Sequence, residues 1–161
     1  MEQLTLFELP YKYIIDASSV FSQKENDSFP RSVHKTLWER IEKMIECQAI
    51  VSCSEIEEEV KNDNEVGHWL RDHQCVILPI DDTIQINVRK IVTEHPNMIV
   101  FESSGSSSGD AFLIATAMKY KLTIITEENK KKQIKIPYIC SGYGIQTRNI
   151  TELCKDEGGY F

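Results

Sequence analysis

Short, wholly apolar runs alternate along this chain with stretches of helical period, and that alternation restricts the fold more than any other feature. Residues 12–16 (KYIID), 49–53 (AIVSC), 76–78 and 122–126 (LTIIT) read as buried strands. Between them, Val33, Leu37, Ile41, Met44 and Ile45 recur at helical spacing over 31–47, and Ile84, Val88, Ile91 and Val92 over 81–95. A further helix should open at Asp110, with Ala111, Ile114, Ala115 and Met118 on its buried side. Shorter helices are expected at 54–62, opened by a Ser54/Glu57 capping box, and at 65–73. Residues 136–140 (IPYIC) read as one more strand and Gly144–Lys155 as a last helix. Strands alternating with helices imply an α/β protein: a three-layer fold whose central parallel sheet is flanked by helices.

The 161 residues suit a single domain over 1–161, since the chain shows no internal repeat and no clear linker. The serine-rich stretch 103–109 (SSGSSSG) reads as a loop. No apolar run is long enough to span a bilayer, and MEQLTLFELP lacks the features of a secretory leader, so a cytoplasmic location with no membrane association is expected. Five cysteines without CxxC spacing fit a reduced protein and argue against a zinc site. The net charge of -7 argues against holding nucleic acid by bulk charge, although carboxylates clustered for a metal make a protein look acidic until the metal is present.

In parallel sheets, ligand sites gather beyond the carboxyl ends of the strands, and acids recur there. Asp16 ends the first strand, where it can either cap the next turn or supply a hard oxygen ligand. Ser18 is placed to hydrogen-bond that carboxylate. In EIEEEV (55–60), Ile56 and Val60 define the buried stripe; at about 100° per residue, Glu58 points away from it and Glu59 borders it. A solvated acidic helix is the competing reading. Asp110 opens an alanine-rich helix, where the helix dipole alone would favour an acid. Glu127 and Glu128 follow LTIIT directly, and each is open to the same role. The run Lys130, Lys131, Lys132 and Lys135 can guide a phosphate backbone or simply form a solvated turn. Trp38 and Trp69 sit among apolar neighbours and are expected in the core or facing a partner, in preference to stacking on bases.

YIIDASSV, IVSCSEIEEEV and SGDAFLIATAMKYKLTIITEE, in this order, resemble the three acidic segments of PIN-domain nucleases, and IKIPYIC with a following Gly-Ile resembles a bacterial PIN-like branch of otherwise unknown function. The resemblance implies Asp16, Glu59, Asp110 and Glu128 as catalytic, metal-binding acids for Mg2+ or Mn2+, with Ser18 and Thr126 as supporting hydroxyls. It further implies hydrolysis of RNA by a toxin-type endoribonuclease, with an antitoxin protein as partner. A homo-oligomer is a further candidate interaction, which the sequence does not specify. Ala17, Gly109 and Glu128 depart from the commoner residues of the motif. The competing readings are a PIN-like binding module without catalysis and a metal-dependent phosphatase. A phosphatase of the haloacid dehalogenase type needs a second Asp at the position occupied by Ser18.

Overall fold

The computed structural model describes residues 9–96, 109–128 and 136–158. Five strands form one parallel sheet: β1 (Tyr13–Ile15), β2 (Ile50–Cys53), β3 (Ile77–Leu78), β4 (Thr123–Ile125) and β5 (Thr147–Arg148), in the order β3-β2-β1-β4-β5. Tyr13 pairs with Ile50 on one side and with Thr123 on the other. Central position explains the composition of β1: a strand covered on both faces needs apolar side chains on both, and Ile14 and Ile15 are fully buried.

Helices flank this sheet: α1 (Ala17–Phe21), α2 (Lys35–Glu46), α3 (Ser54–Val60), α4 (Trp69–Asp72), α5 (Asp82–Glu94), α6 (Gly109–Tyr120), α7 (Ile136–Gly142) and α8 (Ile150–Asp156). Of these, α6 is apolar on nearly every side; Ala111, Leu113, Ile114, Ala115 and Ala117 are all buried. A helix of that kind belongs inside a fold rather than on its surface. It packs on α3, α5, β2 and β4.

Four local expectations need correction. IPYIC is the start of α7 and not a strand. The supposed helix over Gly144–Lys155 begins only at Ile150, because Gly144 adopts φ +71° and β5 intervenes. No capping box forms at Ser54: Cys53 is the N-cap of α3 and makes no side-chain cap bond. The helix expected from residue 31 starts at Lys35, which leaves Val33 72% exposed. The run of lysines and most of the serine-rich stretch lie outside the described residues.

Beside the sheet, a buried carboxylate organises the segment between α1 and α2. Glu42 on α2 receives both Arg31 Nη2 (2.9 Å) and Trp69 Nε1 (2.7 Å), with His73 Nε2 at 3.1 Å. Burial alone would push this carboxyl up; the Arg31 and Trp69 hydrogen bonds and the Arg31 charge outweigh burial and hold it low. Trp38 is fully buried and meets Trp69 edge to face at 5.7 Å, as core residues.

Candidate active site

Strand order fixes where a site can form. From β1 the chain moves through β2 to β3 on one side, while β4 and β5 lie on the other. The switch point is therefore between β1 and β4, and the crevice beyond their carboxyl ends is where such sheets bind ligands. Asp16 follows β1 directly, and Thr126, Glu127 and Glu128 follow β4.

Asp16 is 3% exposed and serves as the N-cap of α1, its Oδ1 accepting the Ala17 amide at 2.8 Å. Its Oδ2 accepts two hydroxyls, Ser18 Oγ and Thr126 Oγ1, each at 2.8 Å. These hydroxyls stand 3.1 Å apart and bind the β4 end in turn: Ser18 Oγ accepts the Glu127 amide (3.0 Å) and Thr126 Oγ1 the Glu128 amide (3.2 Å). The ends of β1 and β4 are thus sewn together around one carboxylate. Burial pushes the Asp16 carboxyl up; the hydrogen bonds from Ser18, Thr126 and the first-turn amides only partly offset it.

Glu59, on the exposed side of α3, is open to solvent. Its pKa is nonetheless pushed up to about 7, first by loss of solvation around its carboxyl and then by the negative charges of Asp16 and Glu128. Exposure to solvent weakens both influences, and the direction of the second puts Glu59 on the side of α3 that faces Asp16 and Glu128. Glu58, one residue earlier, turns to solvent and pairs with Lys61.

Both glutamates after β4 also fasten later helices. Glu128 Oε2 accepts the Ile136 amide at the start of α7 (3.0 Å), and Glu127 Oε1 accepts the Ile150 amide at the start of α8 (2.7 Å). Their electrostatic surroundings differ. The charge of Glu128 reaches Glu59 and Cys140, whereas Glu127, raised chiefly by burial, feels Asp27 and Glu152 instead. Asp110 is 7% exposed in the first turn of α6. Only Lys121 and Leu122 separate α6 from β4, so α6 must run back along the sheet and place its first turn at the same carboxyl edge.

The structure therefore brings Glu59 within electrostatic reach of Asp16 and Glu128, ties Ser18 and Thr126 to Asp16, and sets Asp110 on the same edge. Among the described residues, no three carboxylate, imidazole or thiol side chains stand close enough to enclose one ion. The donor set fits a hard divalent cation by its chemistry, which is carboxylate oxygen. Cys140, buried on α7, lies within electrostatic reach of two of these acids: its thiol is pushed up to about 12, mainly by burial and then by the charges of Glu128 and Asp16. Sequence reasoning missed it because it took this segment for a strand. Asp27, beside Glu127, lies in an irregular turn that carries no periodic signal. A cavity of about 490 Å3 sits at the opposite, amino end of β4, lined by Thr123, Tyr143 and Gln146 among others, and contains no acid.

Solved structures share this fold. The chain is similar to DNA-bound VapBC from Salmonella typhimurium, with a TM-score of 0.57 and 15% identity over 87% of this chain and 98% of that one. It is also similar to VapBC-1 from nontypeable Haemophilus influenzae, with a TM-score of 0.52 and 13% identity over 86% and 98% of the two chains. For VapBC2 from Rickettsia felis, bound to a DNA fragment from its promoter, the TM-score is 0.51 and the identity 15%, over 85% and 97%. At these identities the likeness establishes the fold, which is the PIN-like one expected from the sequence. No curated protein matches the chain. A family model does match, over residues 13–161, and by that match the chain belongs to the family described as Domain of unknown function (DUF4411).

Proposed function

We propose that this protein is a metal-dependent phosphodiesterase, specifically an endoribonuclease of toxin type, with Asp16, Glu59, Asp110 and Glu128 as ligands for Mg2+ or Mn2+. One observation carries the reading: Asp16 and Glu128 leave adjacent strand ends at the switch point, and their charges act on Glu59 from a third element. A fold that gathers like charges at one edge opposes its own stability there unless a cation joins them.

Each residue then has a definable part. Asp16, fixed by Ser18 and Thr126, is the rigid anchor. Glu128 keeps one oxygen on the Ile136 amide, so it turns little. Glu59 is the exposed member and must lose its proton and swing inward to complete the set. When bound, the cation supplies a water of lowered pKa and positive charge opposite the scissile phosphate. Lys130, Lys131, Lys132 and Lys135, which lie outside the described residues, are proposed to guide the phosphate backbone. The structural neighbours were solved as VapBC complexes. By that analogy we propose an antitoxin protein as partner and a cytoplasmic setting; no described helix is long and apolar enough to cross a membrane.

A second reading, a PIN-like module without catalysis, is favoured by the spacing of the acids, none of which form a closed triplet among the described residues. Cleavage of a single-stranded RNA with Mn2+, with and without chelator, separates the two. We expect cleavage that stops with chelator and with Asp110→Asn. Calorimetry showing no bound Mn2+, or cleavage that survives chelation, would overturn the metal mechanism.

A further inference from the structure

The loop that joins α1 to α2 lies at the same carboxyl edge as the acids, because α1 leaves the end of β1 and α2 returns towards the start of β2. Between this loop and the segment that follows α3 is a cavity of about 440 Å3, lined by Phe21, Lys24, Asn26, Asp27, Asp63 and Glu65.

Two links set this cavity against the crevice. Phe21 follows Ser18 by three residues on α1, so the two side chains leave the helix about 60° apart, on one face. Ser18 Oγ is bonded to Asp16 Oδ2 and receives the Glu127 amide. From the loop, the charge of Asp27 acts on Glu127, the residue before Glu128. The opposite wall, Asp63 and Glu65, follows α3, the helix that carries Glu59.

The lining combines an apolar ring with fixed polar groups. Lys24 Nζ stands 5.6 Å from the centroid of the Phe21 ring and donates to Asp63 Oδ2 at 2.6 Å. Asp63 Oδ1 in turn accepts the Glu65 and Val66 amides (2.8 and 3.0 Å), so the ammonium is held in place. Glu65 Oε2 accepts the Glu25 amide (3.2 Å), which ties the two walls together. The Asp27 amide donates to the Lys24 carbonyl (3.0 Å), making Lys24 and Asp27 the two ends of one turn. Asp27 Oδ1 accepts the Ser28 amide (2.7 Å), which orients its carboxylate.

Three carboxylates against one ammonium do not suit a phosphate. They suit an uncharged base, whose face stacks on an aromatic ring and whose edge carries donors and acceptors. A carboxylate can only accept and an ammonium can only donate. Guanine answers both: N1–H and the N2 amino group donate side by side, and O6 beside them accepts. The other three bases of RNA lack two neighbouring donors on that edge.

We propose that this cavity seats a guanine base of single-stranded RNA next to the scissile phosphate, with Phe21 against its face, the Asp27 carboxylate on N1 and N2, and Lys24 on O6. This rests on the endoribonuclease reading above.

The test is cleavage in Mn2+ of short oligouridines that carry one central guanosine, inosine, adenosine or cytidine, with the products mapped. We expect the wild type to cut the guanosine substrate at one fixed position relative to that base, with kcat/KM roughly tenfold above the others. Inosine, which lacks the N2 amino group, should fall with the others. Asp27→Asn keeps an oxygen for the Ser28 amide and should bring the guanosine-to-adenosine ratio of kcat/KM close to one. Phe21→Leu keeps an apolar side chain but no stacking face, and should raise KM for the guanosine substrate by roughly tenfold with kcat unchanged. A wild type that cleaves RNA with no preference for guanosine over inosine or adenosine overturns the guanine site and leaves the nuclease reading standing. A preference that survives Asp27→Asn, or an unaltered KM in Phe21→Leu, does the same, since the base is then read elsewhere. A wild type that cleaves no RNA with any divalent ion overturns both.

Discussion

Two glutamates adjacent on α3 differ sharply in their surroundings, which makes them a test at the scale of single residues. Glu58 pairs with Lys61 in solvent, while Glu59 feels Asp16 and Glu128. Glu59→Gln should therefore weaken Mn2+ binding by roughly tenfold or more, on the scale at which metal sites respond to lost partners, and Glu58→Gln should leave it unchanged. Calorimetric titration checks this; the reverse pattern would mean a wrong helix register. The pKa of Glu59 adds a pH signature in metal-free protein. Its folded value, about 7, lies above the ordinary 4.5. Between those values the folded chain holds a proton that the unfolded chain has released, so stability falls as pH rises through this window. Asp16, also raised, acts in the same direction. Asp63, Asp81 and Glu157 are held low by hydrogen bonds from Lys24, Lys119 and Tyr13, and Glu42 by Arg31 and Trp69 against its burial; their contributions are lost as pH falls through the usual carboxylate range and below it. With chelator present, Tm should decline from pH 5 to pH 8, and Glu59→Gln should flatten that decline. The position of Glu59 at the border of a stripe set by Ile56 and Val60 was legible because helical period is a local property. That its neighbours would be Asp16 and Glu128 was not readable from period, since it depends on strand order.

The same division governs whole elements. β1, β2 and β4 are recognisable as apolar runs, and α2 and α5 by their period, because one buried stripe dictates both. α7 is not: IPYIC is a short apolar run, and period alone cannot assign such runs to strand or helix. What decides it is tertiary, namely the Glu128 carboxylate receiving the Ile136 amide at the first turn. α8 did carry a local signal, the Asn149/Glu152 capping box, in which Asn149 Oδ1 accepts the Glu152 amide at 2.7 Å and Glu152 Oε1 the Asn149 amide at 3.0 Å. The expected box at Ser54 competed with it and proved empty, because α3 begins one residue earlier than a Ser54 cap requires. The helix starts also distinguish Glu127 from Glu128. Glu127→Ala removes the acceptor of the Ile150 amide and should cost about 1 kcal/mol of stability, with Mn2+ affinity intact. Glu128→Gln retains an oxygen for Ile136, so the fold should hold while Mn2+ affinity drops by roughly tenfold or more. Denaturation and calorimetry on both variants test this, and a Glu127→Ala protein that folds normally but no longer binds Mn2+ would exchange the two roles.

At the scale of the whole molecule, charge decides how RNA can be held. The chain has 25 acidic and 18 basic residues, a net charge of -7. Proteins that bind single strands through many lysines release counterions, and the logarithm of affinity falls against the logarithm of salt with a slope of about -0.7 per phosphate neutralised. Here the proposed contacts are few: a cation between the acids and the phosphate, and the lysines of one short sequence run. At fixed divalent ion concentration the slope should therefore be no steeper than about -3, the value for roughly four phosphates. The measurement is fluorescence anisotropy of a single-stranded RNA between 50 and 200 mM monovalent salt, with calcium replacing manganese to suppress turnover. Adding chelator at constant ionic strength should weaken binding by more than the whole salt series does, because the bare carboxylates then face the phosphates directly. A steep slope with no effect of chelator would mean that RNA lies on a basic surface away from the β1–β4 crevice. Asp16, Glu59 and Glu128 would then be a feature of the fold without a part in binding, and the endoribonuclease reading would lose the observation that carries it.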